Sequence, residues 1–185
     1  MRIILGSQSL YRKKALDILN LKYETISSNF DEKSIRDKDP QIMAKKLAEA
    51  KALSIAENQN DALIITADLF LVFENQIYEK PISIEQAKEF LRGFSGNVVE
   101  VISGLAVYNT ETKEMQSTVE VSNLKFRKLD EAEIIDYVNK YPVLKCAGGF
   151  ERDGILRFCE SISGSYCFYA GLPVNKLIEF LKKFI

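Results

Sequence analysis

Segments typical of strands and segments typical of helices alternate along almost the whole chain, and this alternation constrains the fold more than any other feature. Short apolar runs predict strands at residues 3–5, 23–27, 98–108, 119–126 and 155–162, and the long run 62–73 predicts two strand segments. Helical spacing predicts helices from residue 10 and over residues 40–58, 82–91, 130–140 and 174–185, with Ser83 and Asp130 as caps. The pattern predicts an α/β or α+β domain with a mixed sheet.

The composition limits the classes of protein to which the chain can belong. Its 185 residues are 46% hydrophobic and 28% charged, which suits one domain with a sizeable core. A net charge of −1 argues against a nucleic-acid binder, and no apolar run reaches the ~18 residues of a membrane span. The three cysteines form no C-x-x-C pair and no signal peptide precedes the first strand, so we expect a reduced, cytoplasmic setting.

The chain contains no histidine. This absence excludes Ser-His-Asp and Cys-His catalysis and every zinc site with a histidine ligand. Any chemistry must therefore come from carboxylates, Lys or Arg side chains and hydroxyls, with a hard, oxygen-binding metal as a further option.

Three cations stand at the start of the first predicted helix, in the stretch "GSQSLYRKKALDIL". Arg12, Lys13 and Lys14 follow Ser9, a candidate N-cap, although the N-terminus of a helix already carries partial positive charge. Either they are solvated surface cations, or a phosphate binds there with free backbone N–H groups and serine hydroxyls. The predicted apolar face of this helix comprises Ala15, Ile18 and Leu19.

Two charged residues interrupt apolar patterns. Asp68 lies in "ALIITADLFLVF", where an unpaired buried carboxylate would be costly. It either faces solvent at a strand end or turn, or it ends a core strand and binds metal or accepts a proton. Lys51 shares a helix face with Leu47 and Ile55, and it either extends to water or points into a cleft at a phosphate.

Further charged residues lie in or beside predicted loops. Asp31 and Glu32 are either ordinary loop acids or a metal-binding pair, and Lys80 precedes Pro81 just before a helix. Cations and carboxylates without histidine suit metal-dependent chemistry on a polyphosphate.

Several motifs, in order, resemble those of the Maf-type nucleoside triphosphate pyrophosphatases over almost the full length. "SQSLYR" matches S-x-S-P-x-R with Leu10 in place of the usual proline, and "FSGNVVEVISGLAV" matches with Ser103 in place of threonine. The other matching stretches are Asp31-Glu32, "LAEAKA", "ITADLFLV", "EKP", "YPVLKCAGGFERDG" and "AGLPV".

The resemblance implies an α/β fold with a mixed, twisted sheet flanked by helices, of Maf/ITPase type, in one domain over residues 1–185 that forms a homodimer. It gives Asp68 the catalytic role and places Mg²⁺ or Mn²⁺ near Glu32 and Asp68. A water would attack the α-phosphorus, and pyrophosphate would leave. The implied role is housecleaning of noncanonical nucleotides, with a link to septum formation in bacteria. The implied substrate-binding residues are Ser7, Ser9, Tyr11, Arg12, Lys51, Leu69, Lys80 and Asp153.

Three positions of the resemblance bear on the base. The branch that prefers dTTP and UTP has arginine, threonine and glutamine where this chain has Tyr11, Leu69 and Asp153. The branch of 7-methyl-GTP pyrophosphatases has an aromatic residue and an acid at the first and third, and a "CAGSF"-like loop close to "CAGGF" here. The sequence leans to the second branch, although Leu69 fits neither. A dTTP/UTP-preferring enzyme, a nucleotide-binding regulator without turnover and a terminal phosphohydrolase are the alternatives.

Overall fold

A computed structural model describes residues 1–184, so Ile185, the end of the predicted 174–185 helix, lies outside the described residues. The strands are β1 (Arg2–Leu5), β2 (Glu24–Thr25), β3 (Ala62–Phe73), β4 (Gln76–Tyr78), β5 (Val98–Asn109), β6 (Met115–Phe126) and β7 (Cys159–Gly164). The helices are α1 (Leu10–Ile18), α2 (Pro40–Ala56), α3 (Ile84–Phe94), α4 (Glu131–Lys140), α5 (Arg152–Ile155), α6 (Cys167–Ala170) and α7 (Val174–Phe184). No helix within residues 1–184 is long and apolar enough to cross a membrane.

The strands form one seven-stranded mixed sheet. Its order is β2-β1-β3-β5-β6-β7, and β4 pairs with β3. β1 runs parallel to β2 and β3, whereas β4 is antiparallel to β3 and β7 is antiparallel to β6. This mixed sheet with flanking helices confirms the predicted fold class.

The chain forms two compact units. The first comprises Met1–Leu69, Ile102–Glu120 and the described chain from Ser165 onward, and the second comprises Phe70–Val101 and Val121–Gly164. Strands β3, β5 and β6 each contribute residues to both units. The single domain over residues 1–185 stays a prediction.

In the first unit, β3 is buried on both faces. Leu63, Ile65 and Ala67 belong to a core cluster that includes Leu177 and Phe180 of α7. Ile64 points the other way, as the two-residue period of a strand requires, and packs with Ala48, Ala52 and Ile55 of α2. The prediction of two strand segments is wrong, because all twelve residues form one strand. Asp68 does not break the strand, since its side chain has a charged partner on α2.

The first helix differs from its prediction in two details. Ser9 occupies the N-cap position but its side chain makes no capping hydrogen bond, and its own N–H donates to Ser7 Oγ at 3.1 Å. Ala15 is buried and Leu19 packs against the core as predicted, but Ile18 is 83% exposed. Leu16 enters the core instead, because the helix packs through the side that carries residues 15, 16 and 19.

In the second unit, local capping signals set the helices. Ser83 accepts a hydrogen bond from the N–H of Gln86 at the start of α3, and Asp130 and Glu133 form a capping box on α4, so both predicted caps are confirmed. The predicted 155–162 strand is wrong at its start. Ile155 ends the short helix α5, which Glu151 caps by accepting from the N–H of Gly154, and the strand begins at Cys159.

Candidate active site

A buried ion pair joins α2 to β3 in the first unit. Lys51 Nζ lies 2.5 Å from Asp68 Oδ1, and each residue is only 8% exposed. The same Nζ lies 2.8 Å from Oε1 of Glu32, an exposed residue in the one-turn 3₁₀ helix Glu32–Ser34. The sequence left two alternatives for each of these residues. The structure shows that Asp68 is a carboxylate on a core strand and that the Lys51 side chain points inward to two acids.

Ordinary helix and strand periodicity places this pair. Lys51 is buried on the same face of α2 as Leu47 and Ile55, as the spacing predicted. Two residues before Asp68 on β3, Thr66 also faces α2, and its hydroxyl donates to the carbonyl oxygen of Ala48 at 2.6 Å. The face of β3 that packs on α2 thus changes from apolar at Ile64 to polar at Thr66 and Asp68.

Burial and charge oppose each other at Asp68. Burial raises the pKa of the carboxyl, while the positive charges of Lys51 and Arg12 act to lower it and the nearby Glu32 raises it further. Burial lowers the pKa of Arg12, and Asp68 and Glu32 oppose that shift. A guanidinium nevertheless stays protonated. The site therefore holds two cations and two carboxylates that interact through a partly desolvated space.

Arg12 is the one member of the predicted cationic cluster that the structure ties to this site. Its Nε donates to the carbonyl oxygen of Gly171 at 2.9 Å, and its Nη1 donates to Ser7 Oγ at 3.3 Å. Gly171 ends α6 with φ of 76°, a left-handed conformation that favours glycine. Its part in holding Arg12 was missed from the sequence, where the only signal was its place in "AGLPV".

The other two cations have different partners. Lys13 Nζ donates to Gln8 Oε1 at 3.1 Å, and Lys14 Nζ lies 5.6 Å from the centroid of the Tyr11 ring. Tyr11 also makes an edge contact with Tyr169, with ring centroids 6.1 Å apart. Surface contacts thus account for Lys13 and Lys14.

The backbone of Asp68 is fixed from β5. The hydroxyl of fully buried Ser103 donates to the carbonyl oxygen of Asp68 at 3.2 Å. The next residue, Gly104, lets β5 approach α2, because a Cβ there would lie 2.8 Å from the backbone nitrogen of Lys45 and closer still to the carbonyl of Ala44. These two contacts were not predicted, although both residues lie in a recognised motif.

The donor set suits a hard cation shared with a substrate. Within residues 1–184, no group of three or more His, Cys, Asp or Glu side chains is placed to hold a metal ion. Glu32 and Asp68 supply two carboxylates that both contact the Lys51 ammonium. Mg²⁺ is commonly bound by one or two carboxylates together with substrate phosphates and water, so these residues fit Mg²⁺ or Mn²⁺.

The predicted site residues divide between the two units. Ser7, Arg12, Glu32, Lys51 and Asp68 come together in the first unit, where half-buried Leu69 directly follows Asp68. Lys80 and Asp153 belong to the second unit, and both are exposed.

Residues 2–184 match the family described as Maf-like protein. The chain belongs to the Maf-like protein family. This confirms the resemblance drawn from the motifs. A 7-methyl-GTP pyrophosphatase of Pseudoalteromonas translucida (strain TAC 125) is 33% identical over 184 residues, which cover 98% of this chain and 91% of that protein. The structure of the Staphylococcus aureus Ham1 protein aligns over 100% of both chains with a TM-score of 0.54 and 14% identity, a likeness of fold alone.

The Maf-like chain thus carries a site that can perform two tasks. Arg12 and Lys51 can neutralise a polyanion, and Asp68 can accept a proton or bind a hard cation from a partly desolvated position. Phosphoryl transfer needs these two tasks in one place.

Proposed function

We propose that this chain is a metal-dependent nucleoside triphosphate pyrophosphatase. It hydrolyses the bond between the α- and β-phosphates and releases a nucleoside monophosphate and pyrophosphate. The observation that carries the proposal is the buried Asp68 carboxylate 2.5 Å from Lys51, in a chain 33% identical to a 7-methyl-GTP pyrophosphatase. An intact carboxylate–lysine pair also favours an enzyme over a regulator that has lost turnover.

The cationic residues bind the triphosphate. Catalysis of phosphoryl transfer depends largely on positioning and on neutralising charge. Arg12 presents a guanidinium held by Ser7 and Gly171, which limits its motion and aims its remaining N–H groups. Lys51 supplies a second cation, and the Ser7 hydroxyl and the Ser9 segment complete the binding turn. The family resemblance also gives Lys80 a substrate-binding role.

Asp68 acts on the attacking water. Burial raises the pKa of its carboxyl, which makes the carboxylate a stronger base than an exposed aspartate. Asp68 and Glu32 would hold Mg²⁺ or Mn²⁺, which, when bound, would neutralise charge developing on the phosphate oxygens. The Ser103 hydroxyl keeps the backbone of Asp68 in place while the Asp68 carboxylate accepts a proton or orients the water.

We assign the base preference to a modified purine, with 7-methyl-GTP as the leading candidate. A methylated guanine carries positive charge and suits the aromatic face of Tyr11, while Asp153 suits the N–H edge of guanine. The identity to the 7-methyl-GTP pyrophosphatase supports this branch over the one that prefers dTTP and UTP.

A panel of ordinary and modified nucleoside triphosphates, assayed for pyrophosphate release with Mg²⁺ and with Mn²⁺, tests the proposal. Asp68→Asn should lower turnover by at least ~10²-fold while the protein stays folded, because it removes charge and basicity but little volume. The matched control is Asp136→Asn, since Asp136 is an exposed aspartate of α4 that pairs with Arg157. Near-normal turnover in folded Asp68→Asn would remove Asp68 from the mechanism, and no pyrophosphate from any triphosphate would favour the regulator.

Three further expectations from the sequence stay predictions. They are the homodimer, the cytoplasmic setting and the link to septum formation. Counting septa in cells that overproduce either the parent or Asp68→Asn would test whether any effect on division depends on hydrolysis.

A further inference from the structure

Four charges balance in the candidate active site of the first unit. Lys51 contacts both Asp68 and Glu32, and Arg12 interacts with the same two carboxylates. Two positive and two negative side chains leave this cluster without net charge. A divalent cation entering alone would meet two cations at short range in a partly desolvated place, where such repulsion is strong.

The position of Lys51 sharpens this point. Its ammonium lies 2.5 Å from one carboxylate and 2.8 Å from the other, so it already occupies the place where the two donors would share a cation. The side chain is flexible and carries three donors, so a bound triphosphate can offer Lys51 new acceptors and release both carboxylates.

We propose that Lys51 is a built-in counter-ion that keeps divalent metal off Asp68 and Glu32 until a triphosphate draws its ammonium away. Metal and nucleotide then bind together rather than metal first. This inference rests on the proposed function for the identity of the polyanion, but its central statement concerns the free protein.

Titration with Mn²⁺ alone, followed by the electron paramagnetic resonance signal of free Mn²⁺, tests the inference without nucleotide. The wild type should bind Mn²⁺ weakly, and Lys51→Met should bind at least about tenfold more tightly, because a nearby positive charge is lost while two carboxylates remain. Lys46→Met is the matched control, since it removes a lysine of α2 that pairs with Asp37 at 2.8 Å. It should titrate like the wild type.

Two more variants locate the binding and guard against misfolding. The double variant Lys51→Met/Asp68→Asn should lose the gained affinity. If Lys51→Met does not fold, Glu32→Gln at an exposed position decides. A Mn²⁺ titration of Glu32→Gln that coincides with the titration of the wild type supports the inference. The wild type then holds no metal at the two carboxylates that the variant could lose.

Two results would overturn the inference. One is a folded Lys51→Met that binds Mn²⁺ no more tightly than the wild type, and the other is a wild-type affinity that drops in Glu32→Gln. Neither result depends on turnover. A chain that hydrolyses no triphosphate would refute the proposed function and leave these titrations to be judged separately.

Discussion

At the scale of single residues, Asp68 is a carboxylate held largely away from water. It is buried on a core strand, and its carboxylate depends on Lys51 and Arg12 for compensating charge. Removing one partner of a buried pair leaves the other charge uncompensated, which is why the acidity of Asp68 should respond to its neighbours.

The pH dependence of catalysis should reveal this environment. If Asp68 must be ionised to act, kcat/KM falls as pH drops through its pKa, and burial places that acid limb above ~3.9, the value of an exposed aspartate. Arg12→Gln should move the limb to higher pH, because Arg12 lowers the pKa of Asp68. The ionisation of the substrate is the same for both proteins, so the difference reports the enzyme. A limb that stays in place or moves down would contradict the role of Asp68.

Base selectivity is also a property of single side chains. We expect a higher kcat/KM for 7-methyl-GTP than for dTTP or UTP, with a cation–π contribution of roughly 0.5–2 kcal/mol from Tyr11. Asp153→Gln should narrow the gap, because an amide favours a donor-rich base edge less than a carboxylate does. Steady-state kinetics with the three nucleotides check both statements. A parent that prefers dTTP or UTP would refute the branch and leave the pyrophosphatase assignment intact.

At the scale of elements, the contact of β5 with α2 sets the frame around Asp68. Gly104→Ala should lower the free energy of unfolding by about 1–3 kcal/mol. The new Cβ would meet the backbone of Ala44 and Lys45, which cannot rotate away as a side chain can. Gly93→Ala on α3 is the control. Its Cβ meets no atom within 4 Å, so it should be neutral or stabilising by up to about 1 kcal/mol. Urea unfolding gives the free energy of unfolding of both variants. Equal losses in the two variants would contradict the close approach of β5 to α2 at Gly104.

Elements with a local cause were predicted well from the sequence. α4 begins at its capping box because Asp130 and Glu133 bond the neighbouring backbone, a signal contained in four residues.

β3 was wrongly divided, because the partner that allows Asp68 to remain in the strand lies 17 residues away on α2. The start of β7 was also misplaced. The turn of α5 depends on Gly154 fitting against Tyr137 and Tyr141, a packing contact that periodicity does not encode.

At the scale of the whole molecule, the site was predictable where a residue broke a pattern. Asp68 and Lys51 interrupt apolar faces, so both were identified before their contact was known. Gly171 was not identified as the partner of Arg12, because 159 residues separate them and only the folded chain brings them together. Composition indicated only chemistry on a polyphosphate, whereas the family motifs indicated a nucleoside triphosphate as the substrate.

Hydrolysis of 7-methyl-GTP in ¹⁸O-labelled water tests the central claim most directly, with the products resolved by mass spectrometry. Attack of water on the α-phosphorus predicts one ¹⁸O atom in the nucleoside monophosphate and none in the pyrophosphate. Asp68→Asn should produce little of either product. Label in the pyrophosphate, or release of nucleoside diphosphate with labelled inorganic phosphate, would contradict the account.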